Sequence, residues 1–199
     1  MKKLVVALTF FAAATAQAHS KSEFHDAMRK LWEDHVTWTR LYIVSATAGL
    51  PDTQATAQRL LDNQRDIGNA VADFYGRAAA DKLTALLRDH IFTAADLVTA
   101  AKAGDQAKVA AAKTKWYANA NDIAAFLHGA NPQHWPLATL QSMMKMHLDQ
   151  TLDEATHRLQ GKTADEIKDY DAVVHHILMM ADALSGGIIA QFPAKFDRP

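Results

Sequence analysis

The sequence predicts an all-α protein, a single up-and-down antiparallel bundle of about five long helices and one short broken helix. Apolar residues recur every three to four positions along nearly the whole chain, which is the period of an amphipathic helix. The sequence has no sustained alternation of apolar and polar residues, the pattern of a half-buried strand. Glycine and proline separate the helical segments by only a few residues, so successive helices are expected to pack antiparallel.

The first three helices are bounded by glycines and capping residues. The first is expected at about 22–49, where Gly49 begins a Gly-Leu-Pro-Asp turn. The second is the short broken helix: it begins with Asp52 or Thr53 as its cap, breaks near 62–63 and resumes to about 75. The third is expected at about 78–102 and is closed by Gly104.

The last three helices carry equally clear boundary signals. The fourth is expected at about 106–127, closed by Gly129, and the fifth at about 136–160, with Pro136 in its first turn. The sixth begins at the capping box Thr163-Ala-Asp-Glu166 and continues to about 191. The two glycines at 186–187 are expected to kink it.

The first eighteen residues have the features of a cleavable export signal. Met1-Lys2-Lys3 is basic, residues 4–14 are apolar but too few to span a bilayer, and Ala16-Gln-Ala18 is a typical cleavage site. The predicted organisation is therefore a signal peptide at 1–18 and a helical-bundle domain at 19–199. The protein is expected in the periplasm or outside the cell, with no further segment apolar enough to cross a membrane.

Composition excludes several classes of function. Loss of Lys2 and Lys3 moves the formal charge from -1 to about -3, and no cluster of basic residues indicates nucleic-acid binding. Cysteine is absent, which excludes disulfides, thiolate metal sites and thiol catalysis. The ten histidines and seven methionines are the unusual feature, and every histidine lies after residue 18.

Two histidines are predicted to face the core. A helix turns by about 100° per residue, so a side chain can be placed relative to the apolar stripe of its helix. His35 falls near the centre of the stripe on the first helix, and His90 near the centre of the stripe on the third.

A second set of polar residues follows the flanks of the stripes on the last two helices. His147 and Glu154 line up on the fifth helix, and Asp171, His175 and Asp182 on the sixth. A buried polar group without a partner costs roughly 1–3 kcal/mol, so these groups are expected to meet one another.

We interpret this pattern as a metal site inside the bundle, because helical bundles build metal sites from imidazole and carboxylate ligands on facing helices. The ion is expected to be zinc, copper or iron. Two alternatives remain open: a non-catalytic scaffold in which the histidines form a structural polar layer, and a metal-dependent enzyme. The candidate ligands are His35, His90, His147 and His175, with Glu154, Asp171 and Asp182 as ligands or supporting groups.

Three further patterns also indicate a metal. Methionines flank His147 and the pair His175-His176, and thioether with imidazole favours copper. The segment Glu154-Ala-Thr-His157 matches one half of a di-iron motif, which needs two copies. Cleavage after Ala18 makes His19 the first residue, whose amine and imidazole could chelate copper together.

Four segments resemble an uncharacterised family of small exported bacterial helical-bundle proteins. They are Leu31-Trp-Glu-Asp-His-Val-Thr-Trp-Thr-Arg40, Leu50-Pro-Asp52 with Arg59-Leu-Leu-Asp-Asn63, Trp116-Tyr-Ala-Asn-Ala-Asn-Asp122 and Gln191-Phe-Pro-Ala-Lys-Phe196. The resemblance covers nearly the whole chain after the signal peptide. It implies a helical fold and no particular activity.

Overall fold

The computed structural model describes residues 20–196, and the regular secondary structure of this part of the chain is entirely helical, as predicted. The predicted signal peptide, its cleavage site after Ala18 and the chelating His19 lie outside the described residues. The helices are α1 (Lys21–Ala48), α2 (Thr53–Ala70), α3 (Ala72–Tyr75), α4 (Arg77–Lys102), α5 (Gln106–Ala130), α6 (Leu137–Leu159), α7 (Thr163–Gln191) and a 3₁₀ turn (Pro193–Lys195).

The break predicted near 62–63 is wrong, because α2 is continuous and the interruption falls at Val71. Asn63, at the predicted break, and its neighbour Gln64 are both fully buried. The Asn63 amide donates to the Leu31 carbonyl of α1 at 3.0 Å. The helix thus runs uninterrupted for 18 residues where the sequence predicts two shorter pieces.

Two predicted helix starts are also shifted. Pro136 precedes α6 as its capping residue and is not part of the first turn. Thr163 is the first helical residue of α7, and the cap is Lys162, whose side chain makes no capping bond. The predicted capping box does not form, since the Glu166 side chain is buried and lies beside Arg40 of α1.

Each long helix packs against the next one along the chain, and α7 packs against α1. Together the helices enclose one large apolar core, to which every long helix contributes. Fully or almost fully buried members of this core are Met28, Val36, Ile67, Ala80, Ile123, Leu148, Ile177 and Ile188. Polar side chains placed near the middle of a long helix on its inward face are therefore removed from water.

A glycine in α7 permits one close contact in this core. The helix continues through Gly186 and Gly187 to Gln191. A Cβ atom on Gly187 would lie 2.1 Å from Nε1 of Trp135, whereas one on Gly186 would meet nothing within 4 Å. The Trp135 indole donates to the carbonyl of Ala183 at 3.2 Å. Gly187 is thus required for the close approach of the indole ring.

One of the described helices, α7, is long and apolar enough by length and composition to cross a membrane. Its most apolar stretch has a mean hydropathy of 1.5, and half of that stretch is buried inside the protein. The expectation that no such segment follows residue 18 was therefore wrong. A helix that contributes to a protein core meets the same criterion, and α7 supplies core residues between α1 and α6.

Candidate functional site

Four histidines from four helices meet in the interior, and we call them the histidine layer: His35 of α1, His90 of α4, His147 of α6 and His176 of α7. Each is at most 3% exposed. The His147 ring lies between two others, with ring centroids 5.6 Å from His35 and 6.3 Å from His90. Burial first, and then the proximity of His35, His90 and His176, lower the pKa of His147 well below its ordinary value.

His90 is held as a neutral imidazole with both nitrogens occupied. Its Nδ1 lies 2.8 Å from Oδ1 of Asn119, which can only accept, so Nδ1 carries the proton. The Asn119 amide group is oriented by its own bond to the Leu86 carbonyl at 3.1 Å. The Trp116 indole donates to Nε2 of His90 at 3.2 Å. Burial lowers the pKa of His90 to about 4, against a smaller opposing effect of the bond to Asn119.

His35 is bonded through Nδ1 to the side chain of Gln64. The Gln64 amide nitrogen lies 3.2 Å from Nδ1 of His35, 2.7 Å from the Leu60 carbonyl and 3.1 Å from Oδ1 of Asn63. Since this nitrogen is a donor, Nδ1 of His35 accepts and the proton is on Nε2. Burial and the nearby His90 lower the pKa of His35 to about 3.

His147 and His176 each keep an unpaired nitrogen. The Nε2 atom of His176 lies 2.9 Å from the Met143 carbonyl, which makes Nε2 the donor and leaves a lone pair on Nδ1. Within the described part of the chain, the Nδ1 atoms of His147 and His176 are both buried without a hydrogen-bond partner. A buried polar atom without a partner is unusual, and these two nitrogens are the ones in the histidine layer that remain open to a ligand.

The buried carboxylates lie beside an arginine. An Arg40 guanidinium nitrogen is 2.6 Å from Glu166 and 3.6 Å from Glu154, although neither contact is aligned as a hydrogen bond. Burial raises the pKa of Glu154 to about 8, against the opposing effect of Arg40 and with a further rise from Glu166. His157 pairs with Asp169 at 2.6 Å, so the Glu-x-x-His segment has an ion-pair partner for its histidine.

Three predicted site residues do not face the interior, and their predicted inward placement was wrong. Asp171 and His175 are exposed. Asp182 is part-buried and forms an ion pair with Arg29 at 2.6 Å and a contact with His25 at 3.0 Å. All three were placed on α7 with a helical phase about one residue out of register.

The structure brings together His35, His90 and His147, as expected from the sequence, and adds residues that the sequence reasoning missed. His176 was assigned to the outer face of its helix, and its burial corrects that assignment. Gln64, Arg40 and Glu166 were missed because their roles depend on contacts between helices. The sequence did contain one indication of burial. Gln64 is uncharged and lies on the same face of α2 as the apolar residues Leu60 and Ile67.

The described residues do not hold a ready-made metal site. Among residues 20–196, no three histidine, aspartate or glutamate side chains are grouped so that they could hold an ion as they stand. The histidine layer instead provides clustered neutral imidazoles, two of which have an unpaired nitrogen. Such a layer can bind a ligand after small ring rotations, or it can serve as a polar layer of the core.

No protein-family model matches this chain, and comparisons with curated proteins and with solved structures gave no match either.

Proposed function

We propose that this chain is an exported protein that binds a transition metal ion through the histidine layer, with His35, His147 and His176 as ligands. The observation that carries the proposal is the pair of buried, unpaired Nδ1 atoms on His147 and His176. Neutral imidazole is a ligand for zinc, copper and iron. The lowered pKa values of His35 and His147 keep both rings neutral at physiological pH, so neither ring has to lose the extra proton of an imidazolium. His35 would bind through Nε2 after its proton moves to Nδ1, where the unpartnered Oε1 of Gln64 would accept it once that amide group turns over.

The spacing of the rings supports this assignment. A trigonal ion with metal–nitrogen bonds of about 2.0 Å places the centroids of its ligand rings about 5.5 Å apart. The centroids of His35 and His147 are 5.6 Å apart. For this pair, binding would therefore require ring rotation more than movement of α1 against α6. His90 is excluded as a ligand because Asn119 and Trp116 occupy its nitrogens.

The charge of the site favours Cu⁺ over Zn²⁺ and Fe²⁺. The buried carboxylates among the described residues, Glu154 and Glu166, already lie beside Arg40. Three neutral ligands leave the full charge of the ion in the core, and the cost of burying a charge rises steeply with its magnitude. Met144 is buried and lies one turn before His147 on α6, and a thioether at that position would also prefer Cu⁺.

Metal titration of the purified protein tests the proposal. The chain lacking residues 1–18 is stripped of metal and titrated under anaerobic conditions with Cu⁺ in competition with a chromophoric chelator, and separately with Zn²⁺. We expect one tightly bound Cu⁺ by native mass spectrometry. We also expect a gain in stability of about 2.7 kcal/mol at a hundred times the dissociation constant.

Two variants distinguish metal binding by the histidine layer from metal binding by a surface histidine. His147→Gln should abolish the tight site, and His175→Gln should leave it intact because His175 is exposed. Circular dichroism checks that both variants remain helical. Failure of the wild-type protein to bind any of these ions, or equal binding by the two variants, would contradict the proposal.

A second candidate, a non-catalytic scaffold with a structural polar layer, is favoured by one observation. Both nitrogens of His90 are satisfied by protein groups, as they are in a core that uses polar residues to fix the register of its helices. A metal-free protein that stays stable and rigid, with no response to any ion, would support this candidate.

The proposal includes export and the antiparallel order of the helices. The basic start, short apolar segment and Ala-Gln-Ala site of residues 1–18 support export, and N-terminal sequencing of protein from the periplasm should begin at His19.

Short connections and contacts between successive helices support an up-and-down arrangement. Distances between spin labels at the helix ends would test that order.

A further inference from the structure

Two methionines are exposed at the boundary between α6 and α7. Met146 of α6 is 47% exposed and Met179 of α7 is 44% exposed, although these two helices pack against each other. Single exposed apolar residues are common on protein surfaces, so the placement of these two decides what they can do. Contacts between the helices settle that placement.

Met146 lies on the side of α6 that faces α7. His157 of α6 bonds to Asp169 of α7 at 2.6 Å, which shows the direction in which α6 meets α7. Met146 precedes His157 on the same helix by roughly three full turns, so the two side chains project in nearly the same direction. Met146 therefore borders α7 where this boundary is open to solvent.

Met179 borders α6 in the same way. Nε2 of His176 bonds to the Met143 carbonyl at 2.9 Å, which shows the direction in which α7 meets α6. Met179 follows His176 by less than one turn and lies on the same side of α7, displaced by about 60°. His176 is 3% exposed and Met179 is 44% exposed, so that displacement is towards solvent.

The two helices run antiparallel here, which brings the methionine side chains towards one level. On α6 the contact made by Met143 comes before the one made by His157, and on α7 their partners occur in the reverse order. Helical side chains lean towards the N-terminus of their helix, so Met146 leans back towards the level of Met143. Met179 leans back towards the level of His176, which is the same level because His176 bonds to the Met143 carbonyl.

Met143, Met146 and Met179 together form what we call the methionine seam. Met143 is its inner member, since its side chain is half-buried and packs against the core. Thioethers are soft ligands that select Cu⁺ over harder ions. The seam adjoins the histidine layer at His176, whose Nδ1 is buried and has no hydrogen-bond partner among residues 20–196.

We infer that the methionine seam is an outer Cu⁺ site that docks the ion and passes it to Nδ1 of His176. The transfer is a ligand exchange, in which bonds from the ion to sulfur break as a bond to Nδ1 forms. No electron moves, and no proton leaves Nδ1 because the hydrogen of this ring is on Nε2. The transfer rests on the proposed metal binding by the layer, whereas docking on the seam does not.

NMR of the methionine methyl groups tests docking separately from the layer. The mature chain carrying His147→Gln, which removes the tight site, is labelled with ¹³C at its methionine methyl groups and titrated with Ag⁺, a redox-inert mimic of Cu⁺. The signals of Met143, Met146 and Met179 should shift together and saturate. The signal of Met28, which is buried in α1, is the internal control and should not move.

Loading kinetics of the wild-type layer test the transfer. The double variant Met146→Leu with Met179→Leu should take up Cu⁺ from a chromophoric chelator about tenfold more slowly, because a docked ion meets His176 at a high effective concentration. Its final affinity should equal that of the wild-type protein. Met28→Leu, which removes a methionine far from the seam in sequence, is the matched control and should load at the wild-type rate.

The two measurements fail independently. Shifts of the three seam signals, with slower loading in the double variant alone, support the inference. Absence of those shifts, or an equal shift of the Met28 signal, would overturn the outer site even if the layer binds Cu⁺ tightly. Unchanged loading in the double variant would overturn the transfer. Shifts on the seam in a protein whose layer binds no ion would refute the proposed function and still support the outer site.

Discussion

The free energy of unfolding should decrease steeply as the pH is lowered through 5.5, because the histidine layer is neutral in the folded protein. Burial lowers the pKa of His35 to about 3, that of His90 to about 4 and that of His147 well below 6.5. In the unfolded chain the same imidazoles are protonated below pH 6.5. Unfolding therefore takes up about three protons, and each removes about 1.4 kcal/mol of stability per pH unit.

Glu154 acts in the opposite direction over the same range. Its pKa is raised to about 8 in the folded protein, so near pH 5.5 the folded state holds a proton that the unfolded chain has released. This proton makes stability rise as pH falls, by about 1.4 kcal/mol per unit. The net loss expected on acidification is thus about 3 kcal/mol per pH unit, and Glu154→Gln should steepen it to about 4.

Urea unfolding followed by circular dichroism, at closely spaced pH values between 7 and 5 with a chelator present, measures this slope. A loss of about 3 kcal/mol per unit is large beside a typical total stability of about 5–15 kcal/mol. His175→Gln, which removes an exposed imidazole, should not change the slope. The Glu154→Gln variant should lose stability as the pH is lowered from 6 to 5. Constant or increasing stability over that range would refute the assignment of neutral, buried imidazoles.

Three further predictions concern packing and buried polar groups, and urea or thermal unfolding measures each. Gly187→Ala should destabilise by about 1–3 kcal/mol because its Cβ would collide with Trp135, while Gly186→Ala should gain up to about 1 kcal/mol; equal effects would contradict the contact. Asn119→Ala should cost about 1–3 kcal/mol by leaving a buried imidazole N–H unpaired, and an unchanged midpoint would exclude that bond. Arg40→Met should cost about 3–5 kcal/mol at pH 8 and less at pH 5, where one of its two glutamate neighbours is protonated; the same loss at both pH values would count against the raised pKa.

Helical phase was predictable wherever the apolar stripe was narrow. On α1, α4 and α6 polar residues border the stripe, so His35, His90 and His147 were placed correctly. On α7 apolar residues extend around much of the helix, and Ile167 is nearly half exposed. A broad stripe has no sharp centre, and a shift of one residue, about 100°, exchanged His175 for His176.

The partners of the buried polar groups were not predictable from periodicity. The bond between His35 and Gln64 depends on how far α1 and α2 slide past each other, which side-chain packing decides. The contact between Arg40 and Glu166 joins the first and last long helices in the same way. The capping-box pattern at the start of α7 predicted that Glu166 caps its own helix. In the structure Glu166 instead contacts Arg40 of α1.

The pairing of α1 with α7 has a consequence for the order in which the protein is completed. Arg29 and Asp182, which join these helices, are separated by 153 residues, and the histidine layer likewise takes its members from both ends of the chain. A chain still emerging from the ribosome has made α1 but not α7. Until α7 arrives, His35 and His147 lack the helix that covers them and meet water and protons freely. The burial that lowers the pKa values of these imidazoles is therefore completed only when α7 packs. A chain shortened before α7 cannot bury the layer in this way.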